Sequence, residues 1–266
     1  MYAATAIEAA LAAGRIQRRY FRSGLAIQKK GPIDLVTAAD LEVERYFREM
    51  IGARFPSHQV LGEEGASGAV PSRTAAAPFR WIIDPIDGTT NFAHGLALFC
   101  VSIALEVNGQ IEVAVVHDPV AEELFTAERG EGAWLNGSRL RVSPQRHLID
   151  SLIVTGFPYT IAERRRRQVE VFSAFLGHTR GVRRLGSAAL DLSYVAAGRF
   201  EAFYEEQLHA WDIAAGILIV EEAGGRVTDY GEQPVDLFTG QIIASNGLIH
   251  EQVRHIVTVG RDEADR

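Results

Sequence analysis

Hydrophobic positions in this chain repeat with a helical period at its start, a strand period in its middle, and both in turn after residue 150. Residues 3–22 are rich in alanine, with Leu11, Ile16, Tyr20 and Phe21 among arginines, and the run stops before Gly24. That pattern predicts a helix. A short extended piece, residues 25–30, comes next. Val43, Tyr46, Phe47, Met50, Ile51 and Phe55 then recur at helical spacing up to Pro56, predicting a second helix with Asp40 at its start, where an acid also suits simple capping. Val60 and Leu61 precede Gly62-Glu63-Glu64, and residues 65–78, rich in Ala, Ser, Gly and Pro, read as an exposed loop.

The strand period follows. Residues 98–107 and 111–116 flank Asn108-Gly109, a strong short-range hairpin signal, and residues 123–128 and 133–142 extend an antiparallel meander with a further turn at Asn136-Gly137. From Ser151 the periods alternate: strands at 152–155, 181–185, 200–204, 226–228 and 241–245, helices at 161–176, 187–197, 212–223 and 248–258. The chain therefore reads as α/β (α+β), an antiparallel half at residues 1–145 joined to an α/β half at 146–266, together one unit. Internal repeats and low-complexity segments are absent from it. The run Arg164 to Arg167 reads most simply as the solvated face of a helix, with a local anionic contact as the alternative.

One stretch stands out from this alternation. Trp81-Ile82-Ile83-Asp84-Pro85-Ile86-Asp87-Gly88-Thr89-Thr90-Asn91-Phe92 carries an apolar run into two carboxylates three positions apart, then into a tight segment able to open a helix. Carboxylates at the end of a buried strand need a partner charge or a metal, and hard oxygen donors without thiolates point to magnesium rather than zinc. Gly88 lets backbone approach a ligand, and the amides after it can face an anion. Asp-Pro and Asp-Gly are also common turn dipeptides, so on this stretch alone a metal-phosphate site and a plain turn both stand.

Composition narrows the picture. The 266 residues suffice for a large core, and with 47% hydrophobic and 23% charged residues they have the balance of a soluble globular protein. The net charge of −7 argues against nucleic acid as a partner of the whole surface. Cys100 is the only cysteine, which excludes an intrachain disulfide and a thiolate zinc site, and its apolar neighbours mark it as core. No apolar run approaches the roughly 20 residues of a membrane span, and no basic-then-apolar leader opens the chain, so the expectation is a cytoplasmic protein without membrane contact.

A second acidic landmark is Glu205-Glu206-Gln207-Leu208-His209-Ala210-Trp211-Asp212-Ile213-Ala214-Ala215-Gly216, with Asp212 at a helix start. Taken with Gly62-Glu63-Glu64 and the 81–92 stretch, the chain resembles the inositol monophosphatase family of magnesium-dependent, lithium-sensitive phosphatases, related to fructose-1,6-bisphosphatase. Asp34-Leu35-Val36-Thr37-Ala38-Ala39-Asp40, Gly132-Ala133-Trp134-Leu135-Asn136-Gly137 and Gly186-Ser187-Ala188-Ala189 support the resemblance, all in family order.

The resemblance implies a layered α/β/α/β/α sandwich, usually dimeric, that hydrolyses myo-inositol 1-phosphate or a related polyol phosphate with Mg2+ as cofactor. It implies that Glu63, Asp84 and the Ile86 carbonyl hold a first metal, that Asp84, Asp87 and Asp212 hold a second, and that Glu63 helps a third. Gly88 and Thr89 would give amides to the phosphate, and Asp40 would hydrogen-bond the Thr89 hydroxyl that orients the attacking water. Asp87, Ala188, Glu205, Asp212 and Arg183 would line the substrate, and Lys29 matches a lysine near the metal loop. Such chemistry needs positioning and charge neutralisation more than a protein nucleophile, and no nucleophilic Ser, Cys or His is evident. His94 and His209 lie near the motifs but read as loop or surface positions.

Where inositol-selective members commonly have an apolar residue and glycine, this chain has Glu206-Gln207, an expectation of altered alcohol fit. Histidinol-phosphate phosphatase, fructose-1,6-bisphosphatase and nucleotide 3'-phosphatase remain alternatives of the same chemistry. A regulatory binding protein with a secondary phosphatase site is the alternative of another class, because some bacterial relatives bind the transcription machinery.

Overall fold

A computed structural model describes residues 1–23, 28–29, 35–66, 78–158 and 161–262. Its first half runs α1 (Tyr2–Tyr20), β1 (Gln28–Lys29), β2 (Leu35–Val36), α2 (Ala38–Arg54), β3 (Gln59–Gly62), β4 (Phe79–Asp87), α3 (Thr89–Ala93), β5 (Cys100–Val107), β6 (Gln110–Asp118), β7 (Glu123–Glu128), β8 (Gly132–Leu135) and β9 (Ser138–Arg139). The remainder runs β10 (Leu152–Thr155), α4 (Ile161–His178), β11 (Gly181–Arg183), α5 (Ala188–Ala196), β12 (Ala202–Glu205), α6 (Ala210–Glu222), β13 (Arg226–Thr228), β14 (Ile242–Ser245) and α7 (His250–Asp262).

Strands β3 to β9 form one sheet in sequence order, with β3 parallel to β4 and every later pair antiparallel. The second sheet has the order β11-β10-β12-β14-β13, and its β10 runs parallel to both β11 and β12. Period-two alternation splits the first sheet's side chains between two layers. Trp81, Ile83, Ile103 and Leu105 face α1 and α2, meeting Ala6, Ala10, Val43 and Phe47. Ile82, Ala104, Ala114 and Val116 face α5 and α6.

Helix α6 is apolar all round from Ile213 through Val220, because that length lies between the two sheets and has no solvent face. The outer face of the second sheet is covered by α4 and α7, which set Val171, Phe175, Val253 and Val257 against Ile153, Ala202 and Ile243. The layers are thus α/β/α/β/α, the sandwich that the resemblance implied. Among the described residues, no helix is long and apolar enough to cross a membrane.

The turn expected at Asn136-Gly137 divides residues 133–142 into β8 and β9, both residues taking positive φ, 49° and 81°. Two other readings need correction or restriction. In the run Arg164 to Arg167, Arg165 and Arg166 are exposed, but Arg167 turns inward and pairs with Glu206 at 2.7 Å, the two side chains being only 15% and 4% exposed. The expected loop at 65–78 lies for the most part outside the described residues, as do residues 24–27 and 30–34 with Asp34.

Candidate functional site

The site begins with an irregularity in pairing. Asp84 of β4 stands opposite Ser102, and Asp87 opposite Cys100, so three steps along β4 match two along β5. In an unbroken strand, residues three apart point to opposite faces. The extra residue is a β-bulge, and it returns Asp87 to the face of Asp84, towards α5 and α6. Proline fits there because it has no amide to withhold from the ladder. The Pro85 carbonyl accepts a hydrogen bond from Gln17 Nε2 at 2.7 Å, and the Ile86 amide donates to Asp84 Oδ1 at 2.9 Å. The Ile86 side chain goes the other way, into a cluster with Ala39, Phe92 and Phe99.

Helix α6 brings the third acid. Asp212 occupies its third position and accepts the His209 amide at 2.6 Å, so it braces the helix from inside its first turn, with His209 as the capping residue. Ser102 Oγ donates to the Trp211 carbonyl at 3.2 Å, tying that turn to β5. Asp84, Asp87 and Asp212 each place a carboxylate oxygen within 4.8 Å of the others. Asp87 Oδ2 also accepts from Ser187 Oγ at 2.6 Å and the Ala189 amide at 2.7 Å, with Cys100 Sγ at 3.8 Å. Cys100 is core, as expected, and borders the site as well.

Burial pushes all three carboxyls above the usual carboxylate range. Glu63, Asp87, Asp212 and Asp40 add like-charge repulsion at Asp84, whereas the Ser187 and Ala189 donors hold Asp87 back. Among the described residues none of the three has an ion-pair partner. Buried like charges without a counter-charge are unfavourable, and an all-oxygen donor set of this kind suits a hard divalent cation. The cluster can therefore hold a metal ion.

Glu63 follows β3, beside β4 in parallel register, and lies outside the tight group of three while its charge acts on Asp84 and Asp212. Its turn is held from α2: buried Glu44 accepts the Glu64 amide at 2.8 Å and pairs with Arg48 at 2.7 Å. Asp40 is fully buried at the third position of α2, closing a capping box with Thr37. Its other oxygen is 3.5 Å from Thr89 Oγ1, which donates at 2.8 Å to the Ile86 carbonyl.

Gly88 caps α3 with φ +95°, and a Cβ there would come within 2.8 Å of the Leu98 carbonyl, so both conformation and space require glycine. Asn91 Nδ2 donates to the carbonyls of Leu98 and Leu185, both at 2.8 Å, and so binds this segment to the entry of α5. Gln17, Glu44, Asn91 and Ser187 are the positioning residues that sequence reasoning missed. Of these, Asn91 lay inside the 81–92 stretch and Ser187 inside Gly186-Ser187-Ala188-Ala189, while Gln17 and Glu44 had no signal.

The expected alcohol-facing residues divide. Ala188 opens α5 beside Asp87, and its amide bonds that carboxylate. Glu205 ends β12, where burial, opposed by Arg184 and reinforced by Asp87, pushes its carboxyl up to about 8. Arg183 is exposed and donates at 3.1 Å to the Val182 carbonyl of its own strand, while the neighbouring Arg184 is the cation whose field reaches Glu205 and Asp191. Glu206 is buried and pairs with Arg167, so its carboxylate is engaged with that guanidinium. Gln207 is exposed with φ 62°. His94 is exposed and His209 stacks on Trp211 at 4.8 Å. The Lys29 side chain lies outside the described residues.

The profile of the inositol monophosphatase family matches residues 2–259. An inositol-1-monophosphatase from Rhizobium meliloti is 42% identical over 253 residues, 94% of this chain and 94% of that protein. The Nus factor SuhB of Pseudomonas aeruginosa is 44% identical over 248 residues, 91% of this chain and 90% of that protein. The solved structure of an inositol monophosphatase from Anabaena (Nostoc) superposes with a TM-score of 0.86 at 40% identity, covering 97% of this chain and 95% of that one.

Proposed function

The chain belongs to the inositol monophosphatase family, and from that premise we propose that it is a magnesium-dependent phosphomonoesterase that releases phosphate from myo-inositol 1-phosphate or a closely similar polyol phosphate. The observation that carries the reading is the convergence of buried Asp84 and Asp87 with half-buried Asp212, three acids without an ion-pair partner among the described residues. In this reading Glu63, Asp84 and the Ile86 carbonyl hold one magnesium ion, Asp84, Asp87 and Asp212 a second, and Glu63 helps a third. Bound magnesium supplies charge neutralisation at the phosphoryl group and makes a water more acidic.

The protein's own groups do the positioning. The amides of Gly88 and Thr89, at the start of α3, bind phosphoryl oxygens. Thr89 Oγ1, between Asp40 and the Ile86 carbonyl, holds a proton at the point from which the attacking water is oriented. Ser187 and Ala189 fix the Asp87 carboxylate. Glu205, Ala188, Arg183 and Asp212 meet the alcohol part of the ester, at the edge where β10, β11 and β12 all end in the same direction.

Phosphate release with and without magnesium tests the reading, using inositol 1-phosphate, histidinol phosphate, fructose 1,6-bisphosphate, glycerol 2-phosphate and adenosine 3',5'-bisphosphate. A magnesium-dependent preference for inositol 1-phosphate is the expected result, and a strong preference for another ester replaces the substrate. A protein-binding role is the second reading, favoured by the Nus factor name of the Pseudomonas relative. Absence of turnover on every ester would bring it forward. A homodimer and inhibition by lithium accompany the first reading, to be checked by sedimentation and by lithium titration of turnover.

A further inference from the structure

Gly156 follows β10 directly and is buried. Its φ is not in the left-handed region, so nothing in the backbone there demands glycine. What demands it is space. A Cβ at this position would come within 2.1 Å of Glu205 Oε2 and 2.3 Å of Oε1, both far inside van der Waals contact. The register of the parallel strands explains the closeness. Thr155 pairs with Tyr204, and Thr155 Oγ1 locks the two strand ends together by donating to the Tyr204 carbonyl at 2.7 Å, which leaves the next residue of each strand, Gly156 and Glu205, side by side.

We propose that Gly156 is a specificity-determining position: its missing side chain is the seat of the Glu205 carboxylate, and it fixes where that carboxylate meets a hydroxyl of the substrate alcohol. The inference rests on the polyol phosphate reading above. The acids at the end of β4 and the amides after Gly88 handle the phosphate and lie outside this seat, so a shift of the Glu205 carboxylate bears first on the alcohol part of the ester. An added methyl group at Gly156 meets only the end of a flexible side chain, so the chain accommodates it by moving the carboxylate rather than the backbone. A displaced carboxylate loses its hydroxyl partner and with it the preference for a hydroxyl-rich alcohol.

The test is a double-mutant cycle read with two esters, inositol 1-phosphate and p-nitrophenyl phosphate, the second of which offers Glu205 no hydroxyl. In Gly156→Ala the ratio of KM values, inositol 1-phosphate over p-nitrophenyl phosphate, should rise roughly tenfold. In the Glu205→Ala background the same substitution should leave that ratio unchanged, because the group it displaces is gone. A ratio unaltered in Gly156→Ala, or altered equally in the two backgrounds, overturns the inference. If Gly156→Ala alone does not accumulate, Gly156→Ala with Glu205→Ala must fold, and failure of that double variant is equally fatal. A wild-type protein that hydrolyses neither ester refutes the phosphatase reading, and the inference falls with it.

Discussion

Gln17 of α1 donates its Nε2 proton at 2.7 Å to the carbonyl of Pro85, 68 positions further along the chain, while its own Oε1 is buried without a hydrogen-bond partner among the described residues. This contact holds the bulge from the α1 side, and it orients the peptide that leads into Ile86 and Asp87. Gln17→Met keeps the volume and leaves the Pro85 carbonyl buried without its donor. It should lower unfolding free energy by about 1–3 kcal/mol and weaken magnesium binding. Urea unfolding and a metal titration followed by tryptophan fluorescence measure the two effects, and unchanged metal affinity would reduce Gln17 to a packing residue.

Asp87→Asn retains an oxygen able to accept from Ser187 and Ala189 but removes a charge from the acid group. Turnover should fall at least about a hundredfold, while the metal-free protein melts no lower than the wild type because one source of repulsion is gone. Near wild-type turnover in a well-folded variant would refute the metal assignment.

The raised carboxyls set the direction of pH dependence. Asp84 and Asp212 lie well above their ordinary values and Glu205 at about 8, so in the folded metal-free protein they hold protons that the unfolded chain has already released. Stability is then greatest below the unfolded carboxyl range near 4 and falls as pH rises through the folded values. Urea midpoints in EDTA should be lower at pH 8 than at pH 5, and Glu205→Gln should flatten the upper part of the decline. Magnesium should restore more stability at pH 8 than at pH 5. Buried His117 and His250, both lowered, make stability rise through the ordinary histidine range. The deciding comparison is therefore between the variants: equal slopes for wild type and Glu205→Gln from pH 5 to 8 without metal contradict the burial of the Glu205 charge.

Arg167→Met removes the cation from beside buried Glu206. A loss of about 3 kcal/mol is expected, as for other broken buried pairs, without change in the order of preference among phosphate esters. A changed preference in a fully stable variant would return Glu206 to the substrate side.

The acids were legible from sequence because their placement conflicts with ordinary burial: Asp84 and Asp87 end an apolar strand, and Asp212 opens an apolar helix. Their convergence came from the resemblance alone and not from local pattern, since no residue type announces a bulge and strict alternation would have separated Asp84 from Asp87. Helices and strands came through where the period was long, and the turn between β8 and β9 came through because Asn-Gly is itself a turn signal. Arg167 carried a usable signal that the arginine run concealed, for it stands four residues before inward Val171 and eight before Phe175. Gln17, Asn91 and Ser187 are ordinary polar residues whose partners lie 68, 94 and 100 positions away, a distance over which local pattern says nothing.

The bulge at Asp84 to Asp87 also makes the site depend on parity. Were the bulge straightened with the spacing of the two acids unchanged, Asp87 would enter the apolar layer of α1 and α2, next to Trp81 and Ile83, as an isolated charge. Several kcal/mol of penalty for such a charge is comparable with the roughly 5–15 kcal/mol that holds a protein folded. Substitutions that keep the bulge can therefore silence the chemistry and spare the fold, whereas one that straightens it threatens both together.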